Sequence, residues 1–196
     1  MALSAENRPR PLAPLPVRAH PLVLGVVLFL ASELMFFAAL FAAYYDLRAN
    51  RSQWPPPYAH PNAIEGAIAT LLLFAASLVM VLAGRAMDRD RLRAARWWTL
   101  SAIVAAVSFV AQSLRGYAHN GFSVATDAYG SIYYTMTGFH LLHVIAGIGI
   151  LAALFVGMRS RALTANRRAG SEAMTYYWHF VFVVWLGIFA TIYLVR

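Results

Sequence analysis

Five long apolar runs, at about residues 22–45, 64–84, 97–114, 130–158 and 174–195, leave this chain few ways to fold. About 20 apolar residues, at roughly 1.5 Å each, cover the hydrocarbon core of a bilayer, and all five runs are of that order. They are continuous, whereas barrel strands would alternate over about 10 residues, so helices are expected. Apolar residues make up 61% of the 196, against roughly 45–50% in soluble domains. The expected fold class is all-α: an integral membrane bundle of five transmembrane helices. The connections are too short for a separate domain of even about 50 residues. That leaves a Pro-rich tail over 1–21 and a single membrane domain over 22–196.

All 16 basic residues are arginine, and their placement is lopsided. Arg8, Arg10 and Arg18 precede the first run, Arg85, Arg89, Arg91, Arg93 and Arg96 follow the second, and Arg159, Arg161, Arg167 and Arg168 follow the fourth. Only Arg48, Arg51, Arg115 and Arg196 fall on the other side. The positive-inside rule therefore predicts a cytoplasmic N-terminus, and an odd number of spans puts the C-terminus outside. In a soluble protein the net charge of +8 would suggest nucleic acid. Here the arginines flank spans, so orientation accounts for them and no nucleic-acid partner is expected. Arg85 and Arg159, at the ends of the second and fourth runs, are candidate contacts for anionic lipid heads or a neighbouring subunit.

The string PRPLAPLP in the tail recurs in proline too often to be helical. The first run exceeds the 7–15 residues of a signal-peptide core and contains Glu33, so it is expected to be retained. Trp54, in WPPP of the first loop, is a candidate interfacial anchor. The chain has no cysteine, which excludes disulfides, iron–sulfur clusters and thiolate-ligated copper or haem.

Glu33 is the most demanding residue within the runs. A carboxylate near mid-membrane costs several kcal/mol unless it is paired, hydrogen-bonded or neutral, which makes it a candidate functional or lipid-facing group. Other polar groups in the spans are Gln112, His140, His143 and His179, with Glu172 just before the fifth run. His140 and His143 are three residues apart and share a helix face, about 60° apart around the axis. From the rise per residue, Glu33 lies roughly 17 Å and His143 roughly 22 Å from the arginine-rich ends of their spans, so they can meet if helices one and four pack together. A lone histidine such as His179 is more often a hydrogen-bonded packing residue than a ligand, and two histidines on one turn are short of ligands for a metal. The small residues of AALFAA and AGIGIL fit close helix approach.

Three strings carry a family resemblance: ASELMFFAALFAAYY with the following WPPP, DAYGSIYYTMTGFHLLHVIAG, and YYWHFVFVVWLGIFATIYL. They are similar to subunit III of haem–copper cytochrome c oxidases, cover three of five spans in order, and with five spans resemble the short bacterial form. By that resemblance Glu33 matches the membrane-embedded glutamate of the SE motif, and His140 and His143 match the histidines of TGFHGLHV. Trp178 and His179 match WHFVD, with Trp178 a candidate lipid or interface contact, Glu172 matches an acidic residue upstream of it, and Asp127 and Tyr129 the loop motif SDGVYGS. The chain departs from the pattern at Phe182, where the family usually has aspartate, at Leu114 and Arg115, where it usually has a glutamate, and at Leu141 in place of glycine.

The resemblance implies a non-catalytic subunit in the bacterial plasma membrane, without a cofactor of its own. Haem and copper are then expected in partner subunits I and II, with cytochrome c engaged through the complex and phospholipids held between the helices. The implied role is to pack on subunit I, support proton uptake and protect the catalytic centre. One alternative is the same fold in a quinol oxidase or nitric oxide reductase complex. A more distant one is a metal- or haem-binding membrane protein using Glu33, His140, His143 and His179.

Overall fold

The computed structural model describes residues 20–59, 62–158 and 167–195. They form five helices, each long and apolar enough to cross a membrane, and no strands among the described residues. These are α1 (Pro21–Ala49), α2 (Ala63–Asp88), α3 (Leu92–His119), α4 (Ala128–Gly157) and α5 (Arg167–Phe189), the last continuing as a π-helical turn over Ala190–Leu194. The Pro-rich tail up to residue 19, and Arg159, lie outside the described residues.

Local chemistry sets the helix starts. His20 Nδ1 accepts from the Leu22 N–H ahead of a proline at the first helical position, where a missing donor costs nothing. Asn62 Oδ1 accepts from Ile64 N–H, and Asp127 Oδ1 from Gly130 N–H at 2.8 Å, each satisfying one of the orphan amides of a first turn. Asp90, with φ at 53°, breaks α2 from α3. The helices outrun the apolar runs because backbone bonding does not stop where hydropathy does: α3 continues through Arg115 to His119, and α5 begins well before residue 174, so Glu172 lies inside it.

The packing has two parts. Helices α2, α3, α4 and α5 close into a ring, with α2 against α3 and α5, and α4 against α3 and α5. Helix α1 lies outside, along the seam between α4 and α5. Burial follows: 17% of the most apolar window of α1 is buried in the chain, against 44% for α5. The α1 residues Leu28, Leu34 and Met35 remain open at 64%, 56% and 75%, as a lipid-facing or subunit-facing surface does. Close approach is bought by small residues. A Cβ on Gly187 would stand 2.8 Å from the Phe41 ring, and one on Gly147 would stand 3.1 Å from Trp178. The core between the helices is aromatic, with Trp178, Tyr44, Tyr129, Phe37 and Phe109 almost wholly buried.

Candidate functional site

Helices α1 and α4 pack together, and their polar side chains meet. Glu33 Oε2 lies 3.0 Å from His143 Nε2. The other ring nitrogen, Nδ1, lies 2.7 Å from the carbonyl oxygen of Phe139, one turn earlier on α4. A carbonyl can only accept, so Nδ1 carries a proton. The bond to Glu33 then has two satisfied forms: a neutral imidazole accepting from a protonated carboxyl, or an imidazolium donating to a carboxylate. Both place one proton between the two side chains and both sum to zero charge. Within hydrocarbon that neutrality is what makes a carboxyl group tolerable.

A third helix closes the site. The Tyr177 hydroxyl on α5 donates to the backbone carbonyl of His143 at 2.7 Å, and the Phe37 ring stands edge-on to the imidazole, with centroids 5.3 Å apart. His143 and Glu33 retain 15% and 21% exposure, so the pair is sheltered while bordering the open face of α1. Tyr177 carried no signal in the sequence, because nothing in YYWHF says which tyrosine reaches a neighbouring backbone.

His140 goes elsewhere. Its ring is 1% exposed and sits among Phe37, Phe109 and Trp185 at centroid distances of 6.5, 5.8 and 5.3 Å. Neither ring nitrogen has a hydrogen-bond partner among the described residues. The two histidines of one helix turn are therefore divided, one into the α1 seam and one into the ring.

The remaining candidates are dispersed. His179 is exposed and its Nδ1 lies 2.7 Å from the Thr175 carbonyl. Glu172 is exposed and accepts from the Tyr176 hydroxyl at 3.2 Å. Gln112 donates to the Glu65 carbonyl at 2.6 Å, linking α3 to α2. Trp178 is wholly buried against Gly147, which makes it a packing residue inside the bundle. Arg85 is exposed in the last turn of α2. Phe182 packs on Phe74 of α2, with centroids 5.6 Å apart, an apolar contact that an aspartate there would not make. Among the described residues no group of three or more His, Asp or Glu could hold a metal ion.

The opposite end is sealed by rings. Trp54 from the first loop stands between Tyr44 of α1 and Tyr129 of α4, at 5.3 and 5.1 Å. Asp127, outside the spans, caps α4. Burial alone would raise its carboxyl, but the Gly130 N–H, the nearby Tyr58 hydroxyl, the Tyr129 N–H and Arg51 together hold it below its ordinary value. Burial, and then the Asp127 carboxylate, push the Tyr58 phenol up to about 12.

Comparison with known proteins agrees along the length of the chain. The family model described as "Cytochrome c oxidase subunit III" matches residues 15–195. A protein of Nocardia farcinica named "Probable cytochrome c oxidase subunit 3" is 36% identical over 183 residues, covering 91% of this chain and 90% of its own length. "Cytochrome c oxidase subunit 3" of Corynebacterium diphtheriae is 33% identical over 186 residues, with the same coverage. The protein of that name from Thermostichus vulcanus is 38% identical over 176 residues, covering 88% of this chain and 86% of its own length.

Proposed function

Because this chain belongs to the cytochrome c oxidase subunit III family, we propose that it forms the cofactor-free flank of a haem–copper cytochrome c oxidase in a bacterial plasma membrane. It packs on subunit I, with subunit II in the same complex, and haem and copper reside in those partners. The arginine-rich helix ends face the cytoplasm, where Arg85 meets anionic lipid heads at about 1 kcal/mol for each such charge. An apolar cavity of about 450 Å³ between α1, α4 and α5, lined by Val26, Phe29, Ile150, Leu154, Met174 and Tyr177, suits a lipid acyl chain.

The observation that carries this reading is the bond between Glu33 and His143. The family motifs match both residues, and the two meet as a net-neutral pair beside the face that α1 leaves open to a neighbour. In that position the pair fixes α1 to the ring without presenting a charge to lipid or to subunit I. A firm flank keeps the catalytic subunit's proton entry and metal centre in working order. Stripping this chain from the purified complex is expected to slow proton uptake and shorten the number of turnovers before inactivation. A stripped complex with unchanged uptake and lifetime would overturn the proposal.

A further inference from the structure

A second polar locus lies inside the ring, away from the Glu33–His143 pair. At the end carrying Asn62 and Asn120, a partly open cavity of about 50 Å³ is lined by α2, α3, α4, α5 and the π turn. Thr137, nine residues into α4, marks its depth at about 14 Å from the helix end. Its floor is formed by Phe109 and Trp185, the same rings that flank His140 on the far side.

The walls hold more hydrogen-bonding capacity than they use. In α3, Thr99, Ser101 and Ser108 each donate to the carbonyl four residues back, the usual way for a hydroxyl to be satisfied in a membrane helix. Ser113 does not, and it has no partner among the described residues while lining the cavity. Gln112 uses one of its two amide N–H donors, on the Glu65 carbonyl, and its carboxamide oxygen accepts from nothing among the described residues. The Tyr117 hydroxyl donates to Thr137 Oγ1 at 2.8 Å and keeps its acceptor sites free. These side chains are half-buried and face the cavity, and in hydrocarbon a group of this kind left without a partner costs several kcal/mol.

We infer that this cavity is a water site, in which ordered waters bridge Gln112, Ser113 and Tyr117 and stop at the floor of Phe109 and Trp185. About 10–15 Å³ of cavity holds one water, provided it finds two to four polar partners, and apolar cavities stay dry. The volume admits a few waters, and the lining supplies their partners. A lipid tail would leave those same groups unpaired. The ring is thereby wet in one half and dry from His140 onward.

X-ray radiolysis of the purified complex in lipid nanodiscs tests this, since bound water yields hydroxyl radicals that oxidise the side chains it touches. Tyr117 and Tyr133, both lining the cavity, are expected to be oxidised severalfold faster than Phe37 and Trp178, which are 1% and 0% exposed. Heavy-oxygen water should label the products. Ser113→Leu, which fills the space, should remove the excess at Tyr117 and leave the rate at exposed Tyr58 unchanged. If Ser113→Leu does not assemble, Gln112→Met serves the same purpose. Oxidation of Tyr117 and Tyr133 no faster than that of Phe37 overturns the water site, as does an excess that survives the filled cavity.

Discussion

His143 and His140 stand one turn apart on α4 and sit in opposite surroundings. The seam between α1, α4 and α5 matches donor to acceptor: both nitrogens of His143 are engaged, Glu33 is paired, and Tyr177 closes the third side. The ring of α2 to α5 is uneven: His140 has no hydrogen-bond partner among the described residues, while a turn away the cavity is lined by the half-buried polar residues Gln112, Ser113 and Tyr117. The lesson is that a polar residue in a membrane span is satisfied by whichever helix packs on its side of the turn, and a 60° difference in direction decides it. The seam is where breakage should be felt, and the ring is where substitution should be absorbed.

The sharpest contrast is in packing. Trp178 is wholly buried where α5 meets α4, and a Cβ on Gly147 would already press on it at 3.1 Å, so Trp178→Ala should cost about 3–5 kcal/mol. Ser113→Leu at the cavity should cost far less, because it fills space and creates none. Thermal release of the chain from the complex, followed on native gels, ranks the two; equal losses would break the distinction between a filled helix contact and a position beside open space.

Next in size is the pair itself. Glu33→Ala leaves His143 Nε2 unpaired in the membrane and should cost about 1–3 kcal/mol. Glu33→Gln should cost less, since a carboxamide N–H can donate to the neutral imidazole while Nδ1 keeps Phe139. If Gln disrupted assembly and Ala did not, the shared-proton account would fail.

The sequence made the five spans and the similar depths of Glu33 and His143 legible for one reason: apolar length and helical rise are properties of the chain itself, while the packing of α1 on α4 that brings the two together came only with the structure. The rest depended on rotation about the helix axes, which composition does not encode. His140 and His143 share a face in sequence, yet the helices around α4 send them apart. Glu172 reads as lying just before the fifth run because its own charge and the polar residues around it keep that stretch out of the apolar count, whereas α5 starts at Arg167 and contains it. Gln112 stood out as a polar residue in a span, but its acceptor, the Glu65 backbone, carries no side-chain signal.

At the sealed end, Asp127 offers a smaller effect with a defined pH dependence. Asp127→Ala removes the cap of α4 and should cost about 1 kcal/mol. The folded carboxyl is held below its ordinary 3.8, so the folded state binds fewer protons than the unfolded one in that range. The contribution is complete above the ordinary value and fades as pH falls through the lowered one. Asp127→Asn keeps a capping oxygen but does not titrate, so melting of that variant between neutral pH and the acid range should lose less stability than melting of the wild type. A wild type and Asn variant with parallel acid profiles would detach the cap from the carboxylate's charge.

The smallest expected effect falls on the residue that looks most exceptional. His140 buries two unpartnered ring nitrogens, and leaving such groups unmet costs about 1–3 kcal/mol. Against that, its ring meets Phe109 edge-to-face, with an interplanar angle of 88°, an aromatic pairing worth about 0.5–1.5 kcal/mol. Leucine gives up the second term, recovers the first and occupies a similar volume. His140→Leu should therefore leave thermal release within about 1 kcal/mol of wild type or raise it, whereas His143→Leu, which strands Glu33 without a partner, should lower it clearly. If the two substitutions cost the same, the contrast between a paired and an unpaired histidine on one turn of α4 fails.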